Sequence, residues 1–356
     1  MKQLDGYIIR AILGPVALVT AVVLVLSALF LFIGQQDDIG HGSYTAFDAA
    51  KYVLLNLPEQ AWALLPVSAL IGSLMGLGSL ARGSEITVIR AAGISPWRIA
   101  VSALMAAALL IVLEVALGEF IAPHLQQAAR QNKAFSKLSE VTFGSGGGAW
   151  VRDGDRILSA AHQSGERQFG GMMVFELSPD HRLMAIGHAD RASTGTTSSG
   201  WTLQGYAESR FAPDRVLTSP VGERKLQSRV TAEFLGLAVQ NPNELEVLSL
   251  YRLIRYYQQN SLDARPYLFA FWSRIARTVG IAFAVLLAVP FVLGSLRSAG
   301  AGARTMVGLI VGIALFLLQR LIESGTLVFD LNPAILAWIP TALLGVVTVV
   351  LLARAR

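Results

Sequence analysis

The sequence predicts a polytopic α-helical membrane protein: six transmembrane helices with an inserted, β-jellyroll-like domain on the outer side. Three observations predict it. Of 356 residues, 53% are hydrophobic and 15% charged, where soluble domains carry about 25% charged residues. Six charge-poor apolar runs are long enough to cross a hydrocarbon core of about 30 Å. Between the third and fourth runs lies a long interval whose pattern is that of strands. The expected organisation is 1–122 (three spans), 123–265 (outer domain) and 266–356 (three spans).

Met1–Arg10 reads as a mixed-charge helix at the interface, and Ala11–Ile33 as the first span. That run exceeds a signal-peptide core and lacks a small-residue cleavage site, which predicts that it is retained. Gly34–Glu59, with Asp37, Asp38 and Asp48, reads as a polar connection. The second span is expected at Gln60–Ala81, with Gly72, Gly76 and Gly78 forming a small-residue face for close helix packing. The third runs from Ile99 to Ala122 and stops before Pro123. Pro266–Ser295, Thr305–Leu327 and Ala334–Ala353 supply the remaining three.

The chain from Leu80 to Arg98 organises the rest. Ser84 can cap a helix and Glu85 places negative charge in its first turn. Gly93 offers a left-handed stop, and Ser95-Pro96 caps and opens the next helix. About two turns lie between the stops, carrying Ile86, Val88, Ile89 and Arg90. A short helix at 84–93 between two spans either docks into a partner's groove or merely reverses the chain.

Lys2, Arg10, Arg82, Arg90, Arg98, Arg297, Arg304, Arg354 and Arg356 fall on one side of the expected membrane, against Lys51 alone in the short loops opposite. The asymmetry puts both termini inside and the large domain outside. It also accounts for the +5 net charge without nucleic acid. In the outer domain, Met172–Leu177 and Arg182–His188 flank a turn at Ser178–His181, a hairpin pattern. Trp201–Phe211 alternates with period two, the mark of a strand, and Asn243–Gln259 reads as a helix returning to the membrane.

Chemistry is sparse. There is no Gly-Lys dipeptide, hence no P-loop, and no cysteine. The five histidines are scattered, and Gly144–Gly148 and Asp153-Gly154-Asp155 read as turns rather than phosphate or calcium loops. The chain is expected not to be an enzyme by itself, and to need no metal or cofactor. The informative polar residues lie inside the spans. At 1.5 Å per residue, Glu114 stands roughly 24 Å from the inner end of its helix, and Glu119, Arg274, Arg277, Arg320 and Glu323 also reach the outer leaflet. Charges at that depth face protein or a cavity. Either the acids Glu114, Glu119 and Glu323 pair with the bases, or some arginines grip an anionic amphiphile bidentately. Arg130 and Lys133 extend the basic rim beyond Pro123.

With these residues in place, the sequence resembles the LptF/LptG permease family, the transmembrane subunits of the Gram-negative lipopolysaccharide exporter. Ser84–Gly93 stands where the family carries its coupling helix, and Gly42-Ser43-Tyr44, Leu65-Pro66 to Leu80 and Leu296-Arg297-Ser298 look more like the LptG branch. The resemblance implies a periplasmic β-jellyroll, an inner-membrane location and four partners: an LptF-like subunit, an LptB-like ATPase dimer, an LptC-like bridge and lipopolysaccharide. It implies that Glu85, with Ile86, Ile89 and Arg90, meets the ATPase, and that Arg130 and Lys133 contact the lipid head group. Leu31, Gln35, Gln36, Asp37 and Asp38 stand where comparable family members place lysines. The rival functions are a secondary transporter, which favours inverted repeats and midplane ion sites, and a non-transporting scaffold. Exposing about six acyl chains of about a dozen carbons to water costs on the order of 50 kcal/mol, so such cargo needs an apolar trough throughout.

Overall fold

The structure, a computed structural model, describes residues 2–40, 44–137, 149–153, 155–165, 168–178, 182–194, 200–212, 214–227, 242, 245–260, 262–293, 301–325 and 331–354. Gly42-Ser43, the 144–148 run, Gly154, the 179–181 turn and Leu296-Arg297-Ser298 lie outside them. The chain divides into two compact units: Met1–Ile39, Ala46–Ala129 and Arg265–Arg356 form one, and Gly40–Thr45 with Arg130–Ala264 the other.

The first unit is helical. Helix α1 (Lys2–Ile33) runs without a break through the segment expected to lie at the interface. Helix α2 (Ala46–Arg82) begins well before Gln60, so most of the expected polar connection is helix. Its Pro58 and Pro66 sit inside the helix, as prolines do where neighbouring helices and the bilayer leave helix as the only satisfied backbone state. Helix α3 (Glu85–Ala91) follows, then α4 (Pro96–Val115), capped by the Ser95 hydroxyl accepting from the Arg98 N–H at 3.3 Å.

The chain does not stop at Pro123. An α-helical residue 123 would donate to the carbonyl of Glu119, but proline has no N–H and its ring collides with that carbonyl. The helix instead widens through a π turn, Ala116–Ile121, where the Ala122 N–H bonds Leu117 O. It then continues as α5 (Ala122–Lys137). After the sheet unit come α7 (Arg265–Leu293), α8 (Ala301–Gly325) and α9 (Pro333–Arg354), preceded in the other unit by α6 (Val247–Gln259).

Among the described residues, five helices are long and apolar enough to cross a membrane: α1, α2, α4 with its extension, α7 and α9. In α8 the apolar stretch is shorter, Met306–Gln319, bounded by Arg304 and Arg320 in the sequence.

The helical core gathers Ile8, Ile12 and Val16 of α1, Leu70, Leu74 and Leu77 of α2, Ala103 and Ala107 of α4, and Ile281, Val285 and Ala288 of α7. Backbones touch where α1 crosses α2. A Cβ on Gly76 would stand 1.9 Å from the Ala11 carbonyl oxygen, and one on Gly72 2.5 Å from Val16 Cα. Hydroxyls join α9 to α7: Thr341 Oγ1 donates to Ala276 O at 2.9 Å, and Gly345 lies under the Phe283 ring.

The second unit holds an antiparallel sheet of β1 (Ala149–Asp153), β2 (Arg156–Gly165), β3 (Gln168–Leu177), β4 (Leu183–Thr194), β5 (Gly200–Phe211) and β6 (Val216–Gln227). The strands neighbour one another in sequence order, so among the described residues they form a meander, without the crossovers of a jelly roll. The expected alternation along β5 breaks at Gly205, whose φ is +66°. That bulge shifts the register between Gln204 and Ala207. Tyr206, instead of Gly205 and Ala207, therefore joins Trp201 and Leu203 in the interior.

The α1–α2 contact tolerates no side chain at position 76. Gly76→Ala is expected to lower thermal stability of the detergent-solubilised protein by about 1–3 kcal/mol. Gly14→Ala, where a Cβ meets nothing within 4 Å, should leave the unfolding midpoint unchanged or slightly raised. Equal midpoints for the two variants would contradict the contact.

Candidate functional site

Three polar constellations stand out. The first surrounds α3. Ser84 is left-handed (φ +61°) and makes no side-chain cap, so the expected hydroxyl cap is absent; the residue turns the chain instead. Gly93 is the left-handed stop the sequence predicts (φ +86°). Ile86, expected to face a partner, is 5% exposed and packs into the helical core, with Ile89 half-buried against it. One helical face cannot serve both core and partner. The apolar groups left outward are Val88, 67% exposed, and Trp97, 58% exposed, flanked by exposed Arg82 and Arg90.

Glu85 is tied back into the protein: Tyr7 Oη donates to its Oε2 at 2.5 Å. Two residues earlier on α1, Asp5 accepts from Arg98 Nη2 at 2.8 Å and from Ser102 Oγ at 2.6 Å. The first turns of α1 thus bond both α3 and the start of α4.

The second constellation is the intramembrane charge cluster. The π turn leaves Gly118 O facing the position where residue 123 has no N–H to give. Arg274 Nη1 supplies the missing donor, at 3.1 Å from Gly118 O and 2.8 Å from Glu119 Oε1. The Trp62 ring lies beneath both arginines, 4.7 Å from Arg274 Cζ and 4.2 Å from Arg277 Cζ, within cation–π range. Gly118 admits that indole, since a Cβ there would lie 2.3 Å from Trp62 Nε1. Glu114, 1% exposed, accepts from Thr278 Oγ1 at 2.7 Å. Of the two readings of these charges, pairing holds for Arg274 with Glu119. Arg320 and Glu323 fall on α8, but their side chains lie outside the described residues.

The third constellation belongs to the sheet unit. Lys133 Nζ stands 6.0 Å from the centroid of the buried Tyr44 ring, and Arg130 is half-buried. The sheet's inner face is apolar at one end, where Met172, Phe169, Trp201, Leu203 and Leu226 are buried. Its other end is charged. Arg224 donates to Glu176 Oε1 at 2.9 Å, to Tyr206 Oη at 2.8 Å and to Glu208 Oε2, and Arg210 adds a bond to Glu208 at 2.9 Å. Partial burial pushes the Glu208 carboxyl up, yet Arg210 and Arg224 together hold it below the usual glutamate range. Gly187 makes room for the network: a Cβ would lie 1.9 Å from Tyr206 Oη. An apolar trough therefore spans only part of this face.

The sequence pointed to Glu85, Arg90, Arg274 and the acids, but not to Tyr7, Asp5, Trp62 or Thr278. Tyr7 and Glu85 are 78 positions apart, and only a period-3.6 reading of Asp5, Ile8 and Ile12 as one helix with the first span could have placed that phenol.

This combination defines a class: a multi-span membrane permease subunit with an inserted sheet unit and a short charged helix between two spans. The profile of the family described as "Lipopolysaccharide export system permease LptF/LptG" matches residues 6–354. The "Lipopolysaccharide export system permease protein LptG" of Escherichia coli (strain K12) is 29% identical over 352 residues, covering 99% of this chain and 98% of that protein. The protein of the same name from Haemophilus influenzae (strain Rd) is 28% identical over 356 residues, covering 100% and 99%. The chain belongs to the LptF/LptG lipopolysaccharide export permease family.

Removing Arg274 takes a donor from the Gly118 carbonyl and the nearest guanidinium from Glu119. Arg274→Met is expected to cost about 1.5–3 kcal/mol, the usual worth of hydrogen bonds to a charged group, seen as a lower unfolding midpoint in detergent. Wild-type stability of that variant would show that the arginine is not structural.

Proposed function

We propose that this chain is one permease subunit of an ATP-driven machine that extracts lipopolysaccharide from the inner membrane and passes it to a periplasmic bridge. The observation that carries the reading is a match to lipopolysaccharide export permeases along almost the whole chain, joined to a short helix with Glu85 and Arg90 between two spans. In this reading α8 is the fifth of six spans, the sheet unit is the family's periplasmic β-domain, and both termini are cytoplasmic, as the Lys and Arg distribution favours. The chain hydrolyses nothing itself; an LptB-like ATPase dimer does, and an LptF-like subunit and an LptC-like bridge complete the path.

Glu85 meets a basic residue of the ATPase, with Arg90, Val88 and Trp97 at the edge of the contact. Arg130 and Lys133 contact the anionic head group, and Arg277 and Arg320 are the further arginines offered to the lipid within the membrane. Arg274 acts instead as a brace. The outer half of α1, where Val22, Val25, Leu29 and Phe30 are exposed, lines a lateral opening shared with the partner subunit.

Co-expression with the candidate partners, purification and mass spectrometry of bound lipid tests the reading directly. A co-purifying hydrolase and a bound glycolipid are expected; an active chain purified without either would overturn it. In the assembled complex, Glu85→Arg should reduce lipid released per ATP hydrolysed by more than about tenfold. Unchanged coupling would remove Glu85 from the contact.

A further inference from the structure

A docking carboxylate must be held where an incoming cation can meet it, and α3 cannot hold its own. It has seven residues, Ser84 provides no side-chain cap, and Glu85 occupies its first position. What orients the carboxylate comes from elsewhere. Tyr7 Oη donates to Glu85 Oε2 at 2.5 Å, so one oxygen is occupied by the phenol. Oε1 lies on the Gly83 side, 3.2 Å from where a Cβ on that residue would stand.

Tyr7 in turn stands on a fixed base. The next residues on its helix, Ile8, Ile12 and Val16, are fully buried, and α1 meets α2 backbone to backbone at Gly72 and Gly76. Asp5 adds an ion pair to Arg98 at 2.7 Å. Beyond Val16 the same helix loses its cover, and Leu18, Val22, Val25, Leu26, Leu29, Phe30 and Ile33 are exposed. The phenol therefore links the carboxylate of α3 to the span that, among the five long apolar helices of the described residues, is least packed against the rest of its own chain.

We propose that Tyr7 is the positioning residue of the docking helix: its hydroxyl fixes the Glu85 carboxylate by one oxygen, presents the other to a guanidinium or ammonium of the nucleotide-hydrolysing partner, and transmits displacement of α3 to α1. The inference rests on Glu85 being the docking carboxylate, as proposed above. A merely structural tyrosine would pack its ring and be replaced by phenylalanine without loss of docking.

The test is a double-mutant cycle in the assembled complex, with wild type, Tyr7→Phe, Glu85→Gln and the double variant reconstituted into lipopolysaccharide-containing vesicles. Affinity for the ATPase subunit and lipid released per ATP are measured, with the thermal midpoint of the permease as the folding control. Tyr7→Phe should weaken the ATPase subunit's binding about five- to tenfold, the upper range of an ordinary hydrogen bond because this one is solvent-exposed, at an unchanged midpoint. Glu85→Gln should weaken it at least as much, and the double variant should be no weaker than Glu85→Gln alone, because the two groups act as one unit. Wild-type affinity for Tyr7→Phe alongside a defective Glu85→Gln would overturn the inference and leave the docking reading standing. Additive losses would also overturn it, since Tyr7 would then act through something other than Glu85. Wild-type behaviour of Glu85→Gln would overturn the docking reading itself.

Discussion

The helical unit depends on how closely α1 lies against α2. Side chains normally hold helix axes 8–10 Å apart; at Gly72 and Gly76 there are none, and the backbone of α1 fills the space. Because this contact fixes the inner half of α1, it also fixes where Asp5 and Tyr7 point. Those two residues then set the position of α4 and of the Glu85 carboxylate. One small-residue seam thereby governs a polar network about one to three turns away along the helix.

The intramembrane charges follow a related economy of backbone groups. In hydrocarbon every carbonyl needs a donor, and Pro123 withdraws one. The π turn moves the deficit to Gly118, and Arg274 meets it while pairing with Glu119. A glycine at 118 lets Trp62 approach, and the indole face shields both arginines. The cluster holds the third span, its continuation and α7 together at the level where lipid contact would otherwise be costly. In the sheet unit, Gly187 and the Gly205 bulge do comparable work: they bring Tyr206 and Glu208 inward to meet Arg224.

Much of this was legible in the sequence. Apolar runs gave five of the spans, Gly93 gave the end of α3 and Ser95-Pro96 the start of α4, and the hairpin pattern gave parts of β3 and β4 and alternation most of β5. What was hidden has physical causes. Asp48, Lys51, Asn56 and Pro58 dilute the apolar signal where α2 begins, so helix read as loop. Pro123 reads as a stop because proline usually ends a helix, whereas a π turn and an arginine from α7 allow it to continue. Ile86 looked available to a partner because a two-turn helix shows no clear amphipathic face; the core claimed it, leaving Val88 and Trp97 outward. The Tyr7–Glu85 bond joins residues too distant in sequence for any local pattern to reveal.

In the proposed function, α3 is the inner-face contact through which the permease receives its motive force. Since the sequence contains no cysteine, a single Val88→Cys change gives one labelling site on the outward face of that helix. In membrane vesicles of known orientation, a membrane-impermeant maleimide should modify it from the cytoplasmic side only, and the bound ATPase subunit should protect it. Modification from the opposite side, or equal modification with and without the ATPase, would contradict the account.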